Sequence, residues 1–318
     1  MPAPLPGEFE LIARLAARLG SAAAPGVVGI GDDCAAVPLG AGVMLLTCDA
    51  AVAGRHFTTG LTPLETVGWR VATANVSDVA ACGGVPRWAL VSLVVPEGLE
   101  TAALETLYAG LREAGEYYGF TVLGGNISGG AELVVDVFMV GEAPRFIARS
   151  GARPGDLLAV SGPLGGAEAG RLAFEGAGGR LERLSEWERG WVPFYLRPRA
   201  RTDLVPLLQQ TASAAIDISD GLASELGHLA KAGGVGLEVL SALVPLAPGL
   251  GARAHGRDPL TLALRSGEEY QVLFTVAPEH RAGVEQAGAV IIGQVTREPG
   301  VRLDGQPLPT LGWDHLRR

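Results

Sequence analysis

The sequence predicts a two-domain protein of the α/β (α+β) class, for three reasons. Its 318 residues exceed the usual size of a single domain. Short apolar runs typical of strands alternate with longer segments of helical spacing in both halves. A polar stretch with glycine and proline, residues 145–156, shows little strand character and separates the halves. We therefore expect domains at residues 1–145 and 146–318.

The elements of the first half follow from periodicity and from start and stop signals. Apolar residues at helical spacing predict a first helix that ends at Gly20. Thr62 and Pro63 predict the start of a second helix, with threonine as N-cap and proline in the first turn. Gly119 predicts the end of a third helix. The predicted helices cover residues 8–19, 64–74 or beyond, and 101–118; the predicted strands cover 43–47, 88–95, 120–123 and 133–140.

The second half repeats the mixture of strands and helices without a short internal repeat. Its long segment 176–198 carries mixed charge and aromatic residues, and we expect it to be helical in part. Strands are predicted at residues 157–161, 214–218, 236–240, 270–276 and 290–292, and helices at 200–210 and 222–232.

Composition excludes several classes of protein. The net charge of −9 argues against nucleic-acid binding, which needs a basic surface. The single lysine, Lys231, lies between two alanines, so neither a P-loop nor the strand lysine of a protein kinase is present. No signal peptide and no apolar run long enough to span a bilayer is visible. Three cysteines without metal spacing suit a reducing compartment, so we expect a cytoplasmic protein without membrane contact.

Aspartates in glycine-punctuated segments far apart in sequence are the most informative feature. Each follows an apolar run at the point where a turn or helix begins. Carboxylates are hard ligands that suit Mg²⁺, which in proteins usually shares its shell with phosphates. We therefore expect a magnesium site that handles phosphates, while ordinary N-caps and turn carboxylates remain the alternative. The four segments are residues 31–33, 47–49, 75–78 and 217–221.

Two glycine-rich segments could bind phosphate through backbone N–H groups. Residues 124–130 read as a turn after a strand, and residues 162–170 as a loop that opens a helix. A plain turn or hairpin loop is the alternative for the first segment. The second does not match the dinucleotide-binding fingerprint, because its glycine spacing is wrong.

Taken together, these motifs resemble the thiamine-monophosphate kinase family, within the superfamily of aminoimidazole ribonucleotide synthetase and selenophosphate synthetase. The resemblance covers nearly the whole chain. The segments that carry it are Gly-Ile-Gly-Asp-Asp at 29–33, residues 49–57, residues 75–83, Gly-Gly-Asn at 124–126, residues 149–156, residues 217–222, Gly-Glu-Glu-Tyr at 267–270 and Gly-Trp-Asp-His at 312–315.

The resemblance implies roles for individual residues. The implied magnesium ligands are Asp33, Thr47, Cys48, Asp49, Asp78, Asn126, Asp217 and Asp220, with Cys48 where a threonine is common and Asn126 where an aspartate is common. The implied ATP contacts are Tyr108, Gly125, Asn126, Arg149 and Ser219. The implied contacts to thiamine phosphate are His56, Glu268 and Trp313. No general base is implied, because the metals would assist the transfer.

The resemblance also implies substrates and assembly. ATP would phosphorylate thiamine monophosphate to thiamine diphosphate by direct, Mg²⁺-assisted transfer, with several Mg²⁺ ions bound. The first domain would bind ATP and Mg²⁺ and form a homodimer through its mixed sheet, and the second would complete the substrate site. Two alternatives stay open: another ATP-dependent enzyme of the superfamily, similar to aminoimidazole ribonucleotide synthetase, and a non-catalytic protein that binds nucleotide or metal.

Overall fold

The chain folds around two mixed β-sheets with flanking helices, which confirms the predicted two-domain α/β class. The computed structural model describes residues 7–19, 25–253 and 257–308. The first sheet ends at Ala143 and the second begins at Leu157. The boundary predicted at residues 145 and 146 falls between them.

The first sheet has five strands in the order β1-β2-β5-β3-β4. Neighbouring strands are antiparallel except β3 and β4, which are parallel. One face of the sheet packs on helices, while the other face is exposed in the single chain. The strands are β1 (Ala35–Leu39), β2 (Gly42–Val52), β3 (Val85–Pro96), β4 (Thr121–Gly130) and β5 (Val134–Ala143).

The glycine-rich segment 124–130 is not a turn, as we expected, but the second half of the edge strand β4. Two of its glycines, Gly125 and Gly130, lie too close to β3 to carry a side chain. A Cβ atom on Gly125 would lie only 1.7 Å from the carbonyl oxygen of Val91. Glycine here therefore serves strand packing, which composition alone does not distinguish from a turn.

Three helices belong to the first half: α1 (Glu8–Leu19), α2 (Leu64–Ala81) and α3 (Thr101–Tyr118). Helix α2 is buried along most of its length and carries one of the aspartate segments at its end. Its N-cap is Pro63, not Thr62 as the sequence suggested. The hydroxyl oxygen of Thr62 instead accepts a hydrogen bond from the N–H of Thr58 at 3.2 Å.

The second sheet has seven strands in the order β12-β11-β8-β10-β6-β9-β7. Strand β9, which lies next to the edge strand β7, is buried at every position, as expected for a strand covered on both faces. Two short strands near the end of the described chain were not predicted. The strands are β6 (Leu157–Val160), β7 (Ala212–Asp217), β8 (Gly236–Val239), β9 (Val272–Val276), β10 (Val290–Thr296), β11 (Gly300–Leu303) and β12 (Gln306–Pro307).

The second half also contains seven helices within the described residues. Segment 176–198 is helical in part, as expected, because Ser185 and Glu188 form a capping box at the start of α5. Helices α8, α9 and α10 are short and were not predicted. The helices are α4 (Gly166–Gly176), α5 (Glu186–Leu196), α6 (Val205–Thr211), α7 (Leu222–Gly233), α8 (Leu250–Arg253), α9 (Pro259–Arg265) and α10 (Arg281–Gln286).

The two halves meet along helix α2. Ala81 at its end packs in one apolar cluster with Ile147 and Phe274. The indole N–H of Trp69 donates to the carbonyl oxygen of Pro198 at 2.7 Å. These contacts bring the end of α2 toward the end of β7. Among the described helices, none has the length and apolar character needed to cross a membrane.

Candidate active site

Three carboxylates from distant parts of the chain meet in the cleft between the two sheets. Asp33 precedes β1, Asp78 lies in the last turn of α2, and Asp217 ends β7. Each offers one oxygen, and these oxygens all lie within 4.8 Å of one another. We call Asp33, Asp78 and Asp217 the carboxylate cluster. These residues are up to 184 positions apart in the sequence. They converge because they lie at or beside the ends of two strands and one helix, and these ends are close together.

Strand β2 adds two further residues beside the cluster. The hydroxyl of Thr47 donates to Oδ2 of Asp78 at 2.5 Å and fixes that carboxylate. Thr47 and Asp49 point to the same face of β2, because side chains alternate along a strand. Cys48 points to the opposite, exposed face, where its pKa is raised by partial burial and by the nearby Asp136. Its predicted role at the metal therefore rests on its backbone oxygen.

The turn between β7 and α7 brings a second acid near the cluster. Gly221 in this turn has a φ of 111°, a backbone conformation that favours glycine. The N–H of Asp220 donates to Oε1 of Glu225 at 3.1 Å. Glu225 is buried on α7, and burial followed by the charges of Asp220 and Asp217 raises its pKa well above the usual value.

Burial and crowding make the cluster costly to ionise. Desolvation is the largest cause for each member, and the neighbouring carboxylates add to it. The pKa of Asp33 is raised to about 8, those of Asp49 and Asp217 to about 7, and that of Asp78 well above its usual value. Asp49 is nevertheless exposed in the single chain. A cation in the cleft would favour the ionised forms of all four.

The donor set of the cluster fits Mg²⁺. Oδ2 of Asp33 and Oδ2 of Asp217 are buried and have no hydrogen-bond partner within the described chain. Buried carboxylate oxygens are seldom left without a partner, and a bound cation is one way to satisfy them. The ligand atoms are all hard oxygens, which suit Mg²⁺. The residues present are therefore those expected of a magnesium site.

Arg149 lies against the first aspartate segment. Its side chain forms ion pairs with Asp33, at 2.5 Å to Oδ1, and with Asp32, at 3.4 Å to Oδ1. Its backbone N–H also donates to Oδ2 of Asp32 at 3.1 Å. Burial disfavours the charged form of the guanidinium, but the negative charges of the two aspartates have the larger combined effect. The pKa of Arg149 is therefore raised. This predicted ATP contact thus binds carboxylates of its own chain.

A second ion pair, between Arg70 and Glu268, joins the two halves of the chain near Asp49. Arg70 of α2 donates from one nitrogen to both carboxylate oxygens of Glu268, at 2.6 and 2.7 Å. The same nitrogen donates to the carbonyl oxygen of His56 at 2.9 Å, and the guanidinium lies 4.5 Å from the ring centre of Tyr195. Two residues predicted to contact thiamine phosphate, His56 and Glu268, are thereby joined through one arginine.

The loop that carries Glu268 has an unusual backbone. Glu268 and Tyr270 have φ values of 57° and 51°, a left-handed conformation uncommon for residues other than glycine. Between them, the buried Glu269 turns away from the cleft. Its Oε1 accepts the N–H groups of Gly165 at 2.8 Å and Ala167 at 3.1 Å, at the start of α4. A carboxylate of the chain itself therefore occupies the helix start that we considered for phosphate binding.

The remaining predicted residues lie on several elements, and one of them lies outside the described chain. Ser219 lies in the turn between Asp217 and Asp220, and its carbonyl oxygen accepts the N–H of Glu268 at 2.7 Å. Tyr108 lies half-exposed on α3. Gly125 and Asn126 lie on β4, three strands from β2 and so about 14 Å from it. Trp313 lies outside the described residues.

Sequence reasoning missed Arg70 and Glu225, both buried beside the predicted residues. A signal for each was present. Arg70 is the one basic residue of helix α2, two turns before the end that carries Asp78. Glu225 is an acid on the buried side of the helix that follows Asp220. Buried ionisable groups of this kind cluster at functional sites.

Two family models cover most of the chain. Residues 31–143 match the N-terminal domain of AIR synthase related protein, and residues 153–306 match its C-terminal domain. The two matches coincide with the parts of the chain that contain the first and the second sheet.

Similar proteins are found among both curated sequences and solved structures. The thiamine-monophosphate kinase of Aquifex aeolicus is 41% identical over 314 residues, covering 98% of each chain. That of Escherichia coli K12 is 33% identical over 326 residues, again covering 98% of each. A structure described as AaThiL complexed with AMPPCP and TMP has a TM-score of 0.90 and 40% identity over 97% of each chain.

Proposed function

The chain belongs to the thiamine-monophosphate kinase family of AIR synthase related proteins, and we infer that it transfers the γ-phosphoryl group of ATP to thiamine monophosphate. The products are thiamine diphosphate and ADP. The observation that carries this inference is the convergence of Asp33, Asp78 and Asp217 in a family whose relative was solved with an ATP analogue and TMP.

We propose that the carboxylate cluster binds Mg²⁺. Asp33, Asp78 and Asp217 would hold it, with Asp49, Asp220 and the oxygens of Thr47 and Cys48 as the further predicted ligands. The buried oxygens without a partner on Asp33 and Asp217 support this assignment. Bound Mg²⁺ would offset the charge that develops on the phosphates during transfer.

The chemistry required of the protein is mainly positioning. A phosphate monoester has a second pKa of about 6, so the acceptor oxygen is already an anion near neutral pH and needs no general base. The main difficulty is to hold two polyanions together, since two unit charges 4 Å apart repel by roughly 4 kcal/mol at an effective dielectric of 20. The cleft must therefore present cations to both substrates in a fixed geometry.

We propose that the two substrates bind on opposite sides of the carboxylate cluster. Arg149 and Ser219 lie on the side proposed for ATP, where Tyr108, Gly125 and Asn126 are the other predicted contacts. His56 and Glu268 lie on the side proposed for thiamine monophosphate. Their common contact with Arg70 supports a shared role. Trp313 would stack on the cationic, aromatic ligand.

One assay tests this function against its alternatives. Incubation with ATP, Mg²⁺ and thiamine monophosphate should yield ADP and thiamine diphosphate in equal amounts, resolved by chromatography. A sample with EDTA and an Asp217→Asn variant should yield neither. A protein that only binds nucleotide or metal would yield no product in any sample. A ring-forming ligase of the AIR synthase type would consume ATP only with its own substrate.

We also propose that the protein is a homodimer formed through the exposed face of the first sheet. Large apolar side chains on or beside this face are 37% to 64% exposed in the single chain, a pattern typical of an interaction surface. They are Trp88, Leu90, Leu123 and Phe138. The edge strand β4 adds unpaired backbone groups. Because Asn126 lies about 14 Å from β2, its predicted role at a metal requires the site of a second subunit.

Light scattering coupled to gel filtration tests the dimer. The parent protein should elute with twice the mass of one chain, and Phe138→Asp should shift it toward the monomer by burying a charge in the interface. Glu105→Gln, on the exposed side of α3, serves as the control and should leave the mass unchanged. A monomeric parent protein at micromolar concentration would contradict the proposal.

A further inference from the structure

Arg149 is held by two aspartates, and all three side chains are largely buried. The exposed fractions are 15% for Arg149, 8% for Asp32 and 6% for Asp33. Asp32 pairs with the guanidinium of Arg149 and also accepts a hydrogen bond from the backbone N–H of Arg149. It therefore positions both the side chain and the backbone of that residue. A guanidinium in this position is a resident cation of the site.

Asp33 divides its two oxygens between two cation sites. Oδ1 forms the ion pair with Arg149 at 2.5 Å. Oδ2 is buried and has no hydrogen-bond partner among the described residues. Asp33 also meets Asp78 and Asp217 in the carboxylate cluster. Any cation bound by the cluster therefore shares one carboxylate with Arg149.

We propose that Arg149 is a counter-ion that competes with the divalent cation for Asp33, and that it thereby couples cation binding to phosphate binding. This inference rests on the proposed function for the identity of the cation. With the cluster empty, Arg149 is the counter-ion of Asp33 whenever that carboxyl group is ionised. Once a divalent cation shares the charge of Asp33, the hold of that carboxylate on Arg149 weakens. The guanidinium is then available to a phosphate.

The competition has a defined sign. Two cations that share one carboxylate repel each other, so each lowers the affinity of the site for the other, and the effect is reciprocal. A phosphate that accepts hydrogen bonds from the guanidinium removes this penalty, because an anion then lies between the two cations. Cation and nucleotide should consequently bind with positive cooperativity that depends on Arg149.

A binding experiment without nucleotide tests the competition directly. Mn²⁺ is the probe, and its free concentration is followed by electron paramagnetic resonance at fixed ionic strength. We expect R149Q to bind Mn²⁺ roughly tenfold more tightly than the parent protein. That factor is the Coulomb effect of one unit charge on a divalent ion about 6 Å away, even at the dielectric of water.

Two matched variants separate the charge from other effects. R149K keeps the charge and should bind Mn²⁺ within about threefold of the parent, since only the fork of donors is lost. Arg112→Met removes one charge from a side chain that is 76% exposed on α3 and should leave Mn²⁺ affinity unchanged. Addition of AMPPCP should tighten Mn²⁺ binding in the parent more than in R149Q.

The outcomes decide between two roles for Arg149. If R149Q binds Mn²⁺ with the affinity of the parent or more weakly, Arg149 is a phosphate contact only and the proposal is overturned. R149A provides a second test if R149Q does not fold. Free guanidinium at millimolar concentration should weaken Mn²⁺ binding to R149A and leave the parent unaffected, and no effect on R149A would also overturn it. Because the readout is metal binding, it is independent of whether thiamine monophosphate is the substrate.

Discussion

Arg70 of α2 and Glu268 of the loop before β9 form an ion pair that joins the two domains beside the carboxylate cluster. Arg70 is only 4% exposed, whereas Glu268 is 33% exposed and reaches the cleft. Arg70 also binds the backbone of His56 and lies on the ring of Tyr195. One arginine thus sets the positions of two residues proposed to contact the thiamine substrate.

Arg70→Met should reduce both stability and substrate binding. Removal of the buried partner of an ion pair costs roughly 3 kcal/mol, here reduced by the partial exposure of Glu268. We expect a drop of about 2 kcal/mol in the free energy of unfolding and a rise in KM for thiamine monophosphate. Urea denaturation and initial rates measure the two effects.

Arg281→Met is the matched control for Arg70→Met. Arg281 pairs with Glu285 on the surface of α10, with exposed fractions of 53% and 55%. Such a pair contributes about 0–1 kcal/mol, so stability and KM should hardly change. An Arg70→Met protein with the KM of the parent would remove Arg70 from the substrate side of the site.

Asp78→Asn should abolish most transfer while the fold remains intact. The amide oxygen can still accept the hydrogen bond of Thr47, but the charge that would bind Mg²⁺ is lost. We expect a fall in kcat of at least about 100-fold, comparable to the loss of a major charge-stabilising group. Asp49→Asn should behave similarly. Steady-state rates at saturating Mg²⁺ measure the effect.

The same Asp78→Asn variant should be more stable than the parent protein in EDTA. Its neutral side chain relieves repulsion among carboxylates whose pKa values are raised by burial and by each other. Glu105→Gln changes an exposed carboxylate and should alter neither activity nor stability. Near-normal turnover of both Asp78→Asn and Asp49→Asn would refute the metal role.

Stability in the absence of divalent cations should fall as the pH rises. Asp33 has a folded-state pKa of about 8, and Asp49 and Asp217 of about 7, all above the usual value near 4 for an unfolded aspartate. The folded protein therefore binds more protons than the unfolded chain between roughly pH 4 and pH 8, which makes the pH slope of stability negative there.

Thermal unfolding from pH 5 to pH 8.5 measures this slope. We expect the melting temperature to fall with pH in EDTA, and Mg²⁺ to stabilise the protein progressively more as the pH rises, since protons compete with the metal. The Asp78→Asn variant should show a shallower slope. A melting temperature in EDTA that rose steadily across this range would contradict the raised pKa values.

Trp313→Ala should weaken binding of thiamine monophosphate with little effect on ATP. Stacking of a cationic aromatic ligand on an indole contributes about 1–2 kcal/mol when the contact is desolvated, which corresponds to a rise in KM of about 5- to 30-fold. Trp187, which is 40% exposed and packs against Gly249, supplies a control tryptophan. An unchanged KM and kcat for Trp313→Ala would remove this assignment.

Sequence reasoning predicts most of this fold because local signals and tertiary structure agree. The helices α1 and α3 begin and end where periodicity and glycine place them. The aspartates could be singled out because each follows an apolar run at a turn or near the end of an element, and such positions often meet at functional sites. What remained hidden depends on contacts between distant segments. Gly125 is a glycine because Val91 passes close by, and no local pattern reports that distance.

The buried partners of the site were hidden for the same reason. Arg70 looks like an ordinary polar residue until Glu268, 198 residues later, is seen to face it. From the sequence, Glu269 looks like an acid that faces the substrate, as its neighbour Glu268 does. In the structure, the left-handed backbone of Glu268 and Tyr270 turns the side chain of Glu269 toward the start of α4. The direction of a side chain in an irregular loop follows from its backbone torsions, which neighbouring residue types do not determine.

The carboxylate of Glu269 at the start of α4 has a consequence for how this protein depends on its surroundings. Many phosphate-binding proteins hold their ligand on a helix end, a permanent source of partial positive charge. Here that end is already occupied by a carboxyl group of the chain itself. The positive charge for two phosphate-bearing ligands must then come from arginines such as Arg149 and from dissolved divalent ions. Turnover should accordingly follow the free magnesium level of the cell as well as the supply of nucleotide.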